Sequence, residues 1–262
     1  MIQDGIHGGQ QNKQCAKAQT ALFVVCQLNV QSINNKTNTL EVFLHENKPD
    51  ILSIAEHWCP EEQMKIIQLE GYKMITAFCR EKWKNGGSCI YAKSEIVDEA
   101  KPLNITRFAV EKQSEWCAVI IKKAYLKCCV VSVYRPPDGD RDVFLRLLSD
   151  TLVYCFGICE NVFLCGDLNI NYKLNSIGKR LLEDLFLGFG LEVVSSEPTR
   201  IKMDSSGMVT GTQIDYLITN LSSDMYEVST IQPNIADHLA IVLAARAISA
   251  HYKCSLPGGR FS

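Results

Sequence analysis

The sequence predicts an α/β fold in which two β-sheets pack against each other between helices. Short apolar runs rich in β-forming residues recur along the chain, and only a few amphipathic segments separate them. Some successive strands are close enough for hairpins and others are joined by a helix, which argues against a regular strand–helix alternation. The 262 residues, 47% of them hydrophobic, suffice for one large core. We therefore expect one domain over residues 21–246, a flexible leader over 1–20 and a flexible tail over 247–262.

Each predicted element has a local reason. Residues 22–28 form a short apolar run, which is typical of a buried strand. Leu40, Phe43 and Leu44 recur at helical spacing, and Pro49 ends that helix. Gly86 and its neighbour predict a turn before the next strand. The predicted strands cover residues 22–28, 51–55, 72–78, 88–92, 116–121, 127–134, 161–166, 213–219, 226–231 and 239–244, and the predicted helices cover residues 38–47, 60–63, 143–156 and 177–189.

Composition argues against several classes of protein. The formal net charge of −2, from 27 Lys+Arg and 29 Asp+Glu, argues against a purely electrostatic nucleic-acid binder, although not against an enzyme that touches a few phosphates. No apolar stretch is long enough to span a membrane, and the Gln-rich first 20 residues do not resemble a secretion signal. The twelve cysteines include no CxxC pair. We therefore expect buried thiols in a reducing, intracellular compartment rather than a zinc site or disulfides.

Polar side chains follow one predicted strand after another, at the point where each strand begins or ends. Layered sheet proteins build sites there because the sheet is rigid and the loops are free to carry function. These residues are Asn29, Glu56, Tyr134, Asp167 with Asn169, Asp215, and Asp237 with His238. We treat them as one candidate site.

The chemistry of this set suits the hydrolysis of a phosphoester. Carboxylates are the ligands that Mg²⁺ prefers, and Glu56 and Asp237 could supply them. A water nucleophile needs a carboxylate or an imidazole to steer or take its proton, and Asp167 and His238 are the candidates. A catalytic histidine works best when a carboxylate fixes its tautomer, a part that Asp215 could play.

Three neutral residues complete the candidate site. Asn29, Asn169 and Tyr134 can donate hydrogen bonds to phosphate oxygens, which need donors where charge develops. Each has an ordinary alternative, since asparagine is common in turns and a tyrosine before Pro136 could merely end a strand. For the whole set of strand-end residues, the catalytic interpretation is the stronger one.

Six segments together resemble a known family. They stand in the order and spacing of the endonuclease/exonuclease/phosphatase superfamily, which includes abasic-site endonucleases, DNase I and inositol-polyphosphate phosphatases. The segments are Leu28-Asn29-Val30-Gln31-Ser32, Ile54-Ala55-Glu56-His57, Val133-Tyr134-Arg135-Pro136-Pro137, Cys165-Gly166-Asp167-Leu168-Asn169, Gln213-Ile214-Asp215-Tyr216 and Ala236-Asp237-His238. With Gly86-Gly87 and Pro198-Thr199-Arg200, they look most similar to the endonuclease domain of LINE-type (non-LTR) retrotransposons.

The resemblance implies a fold, a cofactor and a role for each residue. It implies a DNase I-like, four-layer α/β sandwich over about residues 22–245, and a phosphodiesterase that uses Mg²⁺, with Mn²⁺ as the alternative ion. Glu56 would bind the metal, with Asp237 assisting the metal or its waters. Asp167 would position or deprotonate the attacking water, and His238, oriented by Asp215, would stabilise or protonate the phosphate. The residues that would contact the phosphate or align the carboxylate are Asn29, Asn169 and Tyr134.

Two positions depart from the family pattern. The last segment usually begins with serine, and Ala236 stands there, which removes one hydrogen bond and affects the expected rate more than the reaction type. Abasic-site enzymes often carry an aspartate where Gln31 stands, so metal binding or a preference for abasic sites is in question. The central residues are intact, which argues against a decayed relic.

The expected partner is double-stranded DNA. Arg135, Arg200 and Lys202 would lie near the site if the resemblance holds, and they are the candidates for contacts with DNA phosphates. Residues 80–85 mix cations with Trp83, as nucleic-acid contacts do, but an ordinary exposed hairpin tip has the same composition. Choice of the target sequence would lie in surface loops such as 80–87 and 200–212.

Three functional hypotheses follow. The first is a Mg²⁺-dependent DNA endonuclease that nicks one strand in the nucleus, so that a reverse transcriptase of the same element primes from the new 3′-hydroxyl. The second keeps the same core and hydrolyses small phosphoesters such as inositol phosphates, which the near-neutral charge fits. The third is a non-enzymatic binding protein on a decayed core. The interpretations of the chain as an excised domain, a truncated element copy or a host protein all remain open.

Overall fold

Two six-stranded β-sheets pack face to face in the computed structural model, which describes residues 22–123, 126–195, 197–203 and 206–246. The strands are β1 (Leu22–Asn29), β2 (Ile51–Ala55), β3 (Tyr72–Phe78), β4 (Ser88–Lys93), β5 (Ala100–Leu103), β6 (Glu115–Lys123), β7 (Leu126–Tyr134), β8 (Asn161–Asp167), β9 (Glu192–Val193), β10 (Arg200–Met203), β11 (Val209–Thr212), β12 (Asp215–Thr219), β13 (Tyr226–Ile231) and β14 (Ala240–Arg246). The α-helices are α1 (Thr37–Asn47), α2 (Glu61–Met64), α3 (Arg141–Phe156) and α4 (Ile177–Gly188). The predicted leader and tail lie outside the described residues.

Both sheets are mixed, and their strand order explains where the helices lie. The first sheet has the order β13-β14-β1-β2-β4-β3 and the second β5-β6-β7-β8-β12-β9. The parallel pairs are β1 with β2 and β7 with β8. Parallel strands need a crossover connection, which α1 supplies in the first sheet and α3 in the second. The predicted α/β fold with two packed sheets is confirmed.

Three layers of apolar contacts hold the four layers together. Between the sheets, Phe23 of β1 packs against Phe163 of β8 with ring centroids 5.9 Å apart. On the outer face of the first sheet, Leu40 and Leu44 of α1 are buried. On the outer face of the second sheet, α3 and α4 bury a further cluster that includes Phe144, Leu148, Leu152, Leu182 and Phe186. The order helix, sheet, sheet, helix matches the four-layer sandwich that the resemblance implied.

Local sequence determines where the longer helices begin. The side chain of Asp140 accepts hydrogen bonds from the backbone N–H groups of Asp142 and Val143 at the start of α3. Ser176 accepts from the N–H of Lys179 at the start of α4. The helices therefore begin within two residues of the predicted positions. The six cysteines predicted as buried strand residues are buried, at positions 26, 89, 117, 128, 129 and 165.

The structure adds short strands that the sequence analysis did not predict. Residues 200–212, expected to form a loop, contain the hairpin β10–β11, in which Arg200 pairs with Thr212. These strands are four residues long, and their apolar residues Ile201 and Val209 are exposed, so they lack the buried apolar run on which strand prediction depends. β5 and β9 were missed because they are only four and two residues long. None of the helices in the described part of the chain is both long and apolar enough to cross a membrane.

Candidate active site

Polar side chains lie side by side at one edge of the second sheet, at the ends of β7 and β8 and at the start of β12. In the register of β7, β8 and β12, Tyr134 stands opposite Asp167, and Asp167 stands opposite Asp215. Neighbouring strands lie about 4.8 Å apart, so the register alone brings a phenol and two carboxylates into one row. All three residues are buried or nearly so, with 6% of Tyr134 exposed and less of the other two.

Asn29 links the two sheets at this edge. It ends β1 and is fully buried, and its Nδ2 donates hydrogen bonds to Oε1 of Glu56 at 2.8 Å and to Oδ2 of Asp167 at 2.9 Å. The backbone N–H of Gln31 donates to Oδ1 of Asn29, which determines which way the amide points. One amide group therefore holds a carboxylate of each sheet at a fixed position.

Asp215 and His238 form a buried carboxylate–imidazole pair. Nδ1 of His238 lies 2.8 Å from Oδ2 of Asp215, and 1% or less of either side chain is exposed. Burial is the largest single effect and would lower the pKa of His238, but the charge and hydrogen bond of Asp215, together with the charges of Asp167 and Asp237, outweigh burial and the pKa is raised. Nε2 of His238 has no hydrogen-bond partner and lies 3.5 Å from Oδ1 of Asp237. The pair thus fixes the Nδ1–H tautomer and leaves the buried Nε2 without a hydrogen-bond partner.

Asp167 lies between Asn29 and this pair. Its Oδ1 accepts a hydrogen bond from the backbone N–H of Asn169 at 2.9 Å. Burial, followed by the charge of Asp215, raises the pKa of the Asp167 carboxyl well above its usual range. The side chain of Asn169 is turned away, since its Nδ2 donates to the carbonyl of Arg135. Asn169 therefore holds Asp167 through its backbone and fixes the neighbouring loop through its side chain.

The turn that carries Glu56 is built from residues with unusual backbone angles. Glu56 has φ = +57° and Trp58 has φ = +60°, a region that costs a non-glycine residue about 1 kcal/mol or more. The N–H groups of these two residues donate to the carbonyls of Gly87 and Gly86. The indole N–H of Trp58 then donates to Oε2 of Glu56 at 2.9 Å. Glu56 is half-buried, and both of its carboxylate oxygens are oriented by protein donors.

A glycine allows the central strands to come together beside Asp167. A Cβ atom at Gly166 would lie 1.8 Å from the carbonyl oxygen of Val133 on β7, and Gly166 has φ = +153°. Any side chain would push β8 away from β7 one residue before Asp167. The Gly-Asp sequence in this segment is therefore a packing requirement of the site as well as a motif.

Asp237 is held by a cation rather than by the Asn29–Glu56 group. Its Oδ2 accepts from Nε of Arg200 at 2.8 Å, and this contact and the nearby His238 lower its pKa despite partial burial. Arg200 itself is about three-quarters buried, while Lys202, two residues further along β10, is exposed. Of these two predicted DNA contacts, Lys202 is thus the more accessible one.

Arg135 does not fit the role predicted for it. Only 5% of its surface is exposed, and its guanidinium donates to the backbone carbonyls of Leu168 and Gly139. A guanidinium enclosed in this way cannot reach a DNA phosphate. The prediction was wrong because proximity in sequence to Tyr134 does not reveal that the loop after β7 folds over the arginine. Arg135 is a structural residue that fixes the loop containing Asn169.

The sequence analysis missed the supporting role of Thr199. Its Oγ1 accepts from the backbone N–H groups of Ile214 and Asp215, and its carbonyl accepts from the N–H of Leu239. This buried residue thus ties together the start of β12 and the segment that carries His238. Thr199 was noticed only as part of a family-like triplet, and a lone threonine offers no pattern from which these contacts could be derived.

The donor set at this edge fits a divalent cation. The carboxylates of Asp215 and Glu56 lie close enough to Asp167 to raise its pKa by repulsion, and the imidazolium form of His238 opposes this effect. Atoms of Asp167, Asp215 and His238 all lie within 4.8 Å of one another. Within this trio, Nδ1 of His238 and Oδ2 of Asp215 are already engaged with each other in a hydrogen bond. The carboxylate oxygens of Glu56, which lie outside this pair, are therefore the better ligands for a hard cation.

The arrangement separates the chemistry into two halves. On one side of Asp167 lie Asn29 and Glu56, with carboxylate oxygens suited to a cation and a water. The other half consists of the imidazole of His238, next to Asp215 of β12, and the phenol of Tyr134, which lies across Asp167 from them on β7. Burial and then the nearby carboxylates raise the pKa of Tyr134, so the phenol keeps its proton. The first half suits activation of a nucleophile and the second half suits stabilisation of an anion.

The comparison with protein families gives one match. The model of the Endonuclease/Exonuclease/phosphatase family matches residues 26–224, most of the chain. No curated protein matches the chain in sequence.

Solved structures share the fold at low sequence identity. The endonuclease domain of TRAS1, a telomere-specific non-LTR retrotransposon, superposes with a TM-score of 0.67 at 15% identity, covering 86% of this chain and 98% of that one. The AP endonuclease from Archaeoglobus fulgidus gives 0.60 at 18% identity, covering 85% and 99%. The 3′ phosphatase NExo from Neisseria, bound to a product DNA hairpin, gives 0.62 at 15% identity, covering 84% and 98%.

Proposed function

The chain belongs to the endonuclease/exonuclease/phosphatase family, and on that premise we propose that it is a Mg²⁺-dependent endonuclease that nicks one strand of duplex DNA. The observation that carries the proposal is the position of Asp167. It is buried between an amide that also holds Glu56 and the pair of Asp215 and His238. That is the set of groups that hydrolysis of a phosphodiester requires at one point in space.

The residues divide the reaction among them. Asp167 orients the attacking water and accepts its proton, with its carboxylate held in place by Asn29 and by the N–H of Asn169. A divalent cation held by Glu56, with Asp237 as a further ligand, would neutralise charge on the phosphate and its leaving oxygen. Tyr134 donates its phenolic hydrogen to a phosphate oxygen.

His238 acts on the opposite side of the phosphate. Its Nε2–H donates to a phosphate oxygen while Asp215 holds Nδ1–H and stabilises the imidazolium. Because its pKa is raised, the imidazolium is favoured over the neutral ring at a given pH. His238 therefore stabilises charge in the transition state, and Asp215 positions it.

We propose further that the nick serves a non-LTR retrotransposon or a protein derived from one. The family-like segments and the fold shared with the TRAS1 endonuclease domain support this proposal. On this proposal the substrate is chromosomal DNA in the nucleus, and a reverse transcriptase domain of the same element is the partner that extends the new 3′-hydroxyl. Lys202 on β10 and the paired Arg200 are the proposed contacts with DNA phosphates.

Hydrolysis of small phosphoesters such as inositol phosphates is the alternative, which the net charge of −2 favours. The salt dependence of binding to duplex DNA separates the two. An enzyme that contacts several phosphates loses affinity steeply with salt, about 0.9 logarithmic units per contact for each tenfold rise in salt concentration. A flat dependence, together with phosphate release from small substrates, would support the alternative.

Relaxation of supercoiled plasmid tests the proposal. We expect nicking by the purified chain in Mg²⁺, none with a chelator, and a loss of at least about 100-fold with His238→Ala. His45→Ala is the matched control, because His45 is exposed on α1. No nicking in either Mg²⁺ or Mn²⁺, or equal nicking by His238→Ala, would contradict the proposal.

A further inference from the structure

We propose that the cleft between Trp58 and Trp83 binds a nucleobase that has left the DNA stack, next to the phosphate that is cut. The proposal rests on the function proposed above and adds the kind of DNA structure that the site prefers. The cleft has a volume of about 330 Å³ and is lined by Trp58, Cys59, Pro60, Arg80 and residues 81–85 at the tip of the β3–β4 hairpin. A volume of this order is sufficient for a small ligand.

Trp83 is unusually exposed for a large aromatic side chain. It is 56% exposed, and no other aromatic side chain within the described ranges is exposed to the extent of Trp83. Nζ of Lys112 lies 4.8 Å from the centroid of its ring, and Asp138 holds that ammonium at 2.7 Å. The indole is therefore held by a cation at the surface instead of packing into the core. An aromatic ring kept at the surface in this way is a stacking platform for a base.

The hairpin tip that carries Trp83 is pre-organised. Arg80 and Glu115 form a buried ion pair at 2.6 Å, with 8% and none of their side chains exposed. Nη1 of Arg80 also donates to the carbonyl of Lys84. The carboxylate of Glu111 accepts from the N–H groups of Glu81 and Lys82. Because these contacts are made without a ligand, little ordering remains to oppose binding.

The charges of the cleft favour a nucleic acid. The charge of Arg80 is already paired with Glu115, and of the other three charged residues that line the cleft, Lys82 and Lys84 are cationic and Glu81 is acidic. The two lysines are exposed. Cations interleaved with an aromatic ring are typical of sites that follow a single strand, in which the ammonium groups meet the backbone and the ring meets a base.

The cleft opens beside the reacting groups. Trp58 forms one wall, and its indole N–H holds Oε2 of Glu56, the proposed metal ligand. In a paired duplex the faces of the bases are covered by their neighbours, so Trp83 can stack only on a base that is flipped or in a distorted strand. A nucleotide held there would keep the adjoining phosphate near Glu56.

Binding without chemistry tests the proposal. The probe is a fluorescein-labelled 12-nucleotide oligothymidylate, whose anisotropy is followed with the purified chain in a chelator, against a blunt duplex of equal length. We expect Trp83→Ala to weaken binding of the single strand about tenfold and Trp83→Phe to retain most of it. Leu187→Ala is the control, since Leu187 is 79% exposed at the end of α4. Quenching of tryptophan fluorescence by unlabelled oligothymidylate should be smaller with Trp83→Phe, in which Trp58 is the tryptophan that still lines the cleft.

The lysines give an independent measurement. Replacing Lys82 and Lys84 by alanine should reduce the slope of log K against log salt by about 0.7 per lysine that meets a phosphate. Lys101→Ala, at an exposed position of β5, should leave the slope unchanged.

Equal affinity of wild type and Trp83→Ala for the single strand would overturn the proposal, and so would an equal loss for single strand and duplex. Plasmid nicking by the wild type separates this failure from failure of the proposed function. If the wild type nicks plasmid but Trp83→Ala binds the single strand as tightly as the wild type does, the endonuclease proposal stands and the cleft proposal is wrong. If the wild type binds through Trp83 but nicks nothing, the cleft proposal stands and the endonuclease proposal falls.

Discussion

His57 makes the stability of the turn that carries Glu56 depend on pH. The residue is fully buried. Its Nδ1 accepts from the backbone N–H of Cys59 at 3.1 Å, so the ring proton must be on Nε2, which donates to the carbonyl of Phe78 at 2.9 Å. A second proton would have to bind Nδ1, which already accepts a hydrogen bond from the N–H of Cys59. Burial accordingly lowers the pKa of His57 from 6.5 to about 4.

The direction and size of the effect follow from these two values. Below pH 6.5 the unfolded chain binds a proton at this histidine, whereas the folded chain does so only near pH 4. The stabilisation is therefore complete above pH 6.5 and is lost as the pH falls from 6.5 to about 4. At about 1.4 kcal/mol per unit of difference, the free energy of unfolding loses about 3 kcal/mol from this residue.

Urea unfolding at pH 7 and at pH 4.5 measures this loss. His57→Gln keeps one hydrogen-bond donor and one acceptor but cannot be protonated. Between pH 7 and pH 4.5, the free energy of unfolding of this variant should therefore fall by about 2 kcal/mol less than that of the wild type. Other groups titrate equally in both proteins and cancel in the difference. His45→Gln, at an exposed position, should behave as the wild type does. An equal loss in wild type and His57→Gln would refute the reasoning.

Three further substitutions test the contacts that build the site. Gly166→Ala should abolish nicking or folding, because its Cβ would lie 1.8 Å from the carbonyl oxygen of Val133. The control is Gly188→Ala in α4, whose Cβ would have no atom within 4 Å and which should raise the free energy of unfolding by about 0.5–1 kcal/mol. Thermal unfolding and nicking activity are measured for both variants, and an active Gly166→Ala would contradict the packing argument. Asn29→Ala removes two hydrogen bonds to carboxylates, so kcat/KM for nicking should fall about 100-fold; a loss under threefold would show that the amide does not organise the site. Thr199→Val leaves the backbone N–H groups of Ile214 and Asp215 without their acceptor, so the free energy of unfolding should fall by about 1–3 kcal/mol. Urea titration measures this change, and an unchanged urea midpoint would contradict the supporting role of Thr199.

The fold could be predicted because its causes are local. Apolar runs, helical spacing and turn residues located every strand of the two sheets except β5 and β9, and they located all four α-helices. The hairpin β10–β11 could not be found in this way, since its strands are short and largely exposed and are stabilised by pairing with each other rather than by burial. Strand prediction depends on a buried face, which this hairpin lacks.

The sequence predicted which polar residues meet at this edge of the sheets, but not the contacts that they make there. The strand-end pattern identified Asp167 and Asp215, and the register of β8 and β12 places them opposite each other. That Asn29 joins carboxylates of both sheets is a property of how the sheets pack, which no spacing along the chain encodes. Arg135 was predicted to contact DNA but is buried by a loop, and such burial cannot be inferred from the neighbouring residues in the sequence.

Cleavage of a duplex labelled at one 5′ end tests the central claim most directly. The experiment uses the wild type in Mg²⁺ under single-turnover conditions, followed by extension of the product with a polymerase. The account predicts a shortened labelled strand that the polymerase extends, which shows an internal nick with a 3′-hydroxyl, and predicts that Asp167→Asn yields none. An intact duplex, combined with phosphate release from small phosphoesters by the same preparation, would contradict the assignment of this site to DNA.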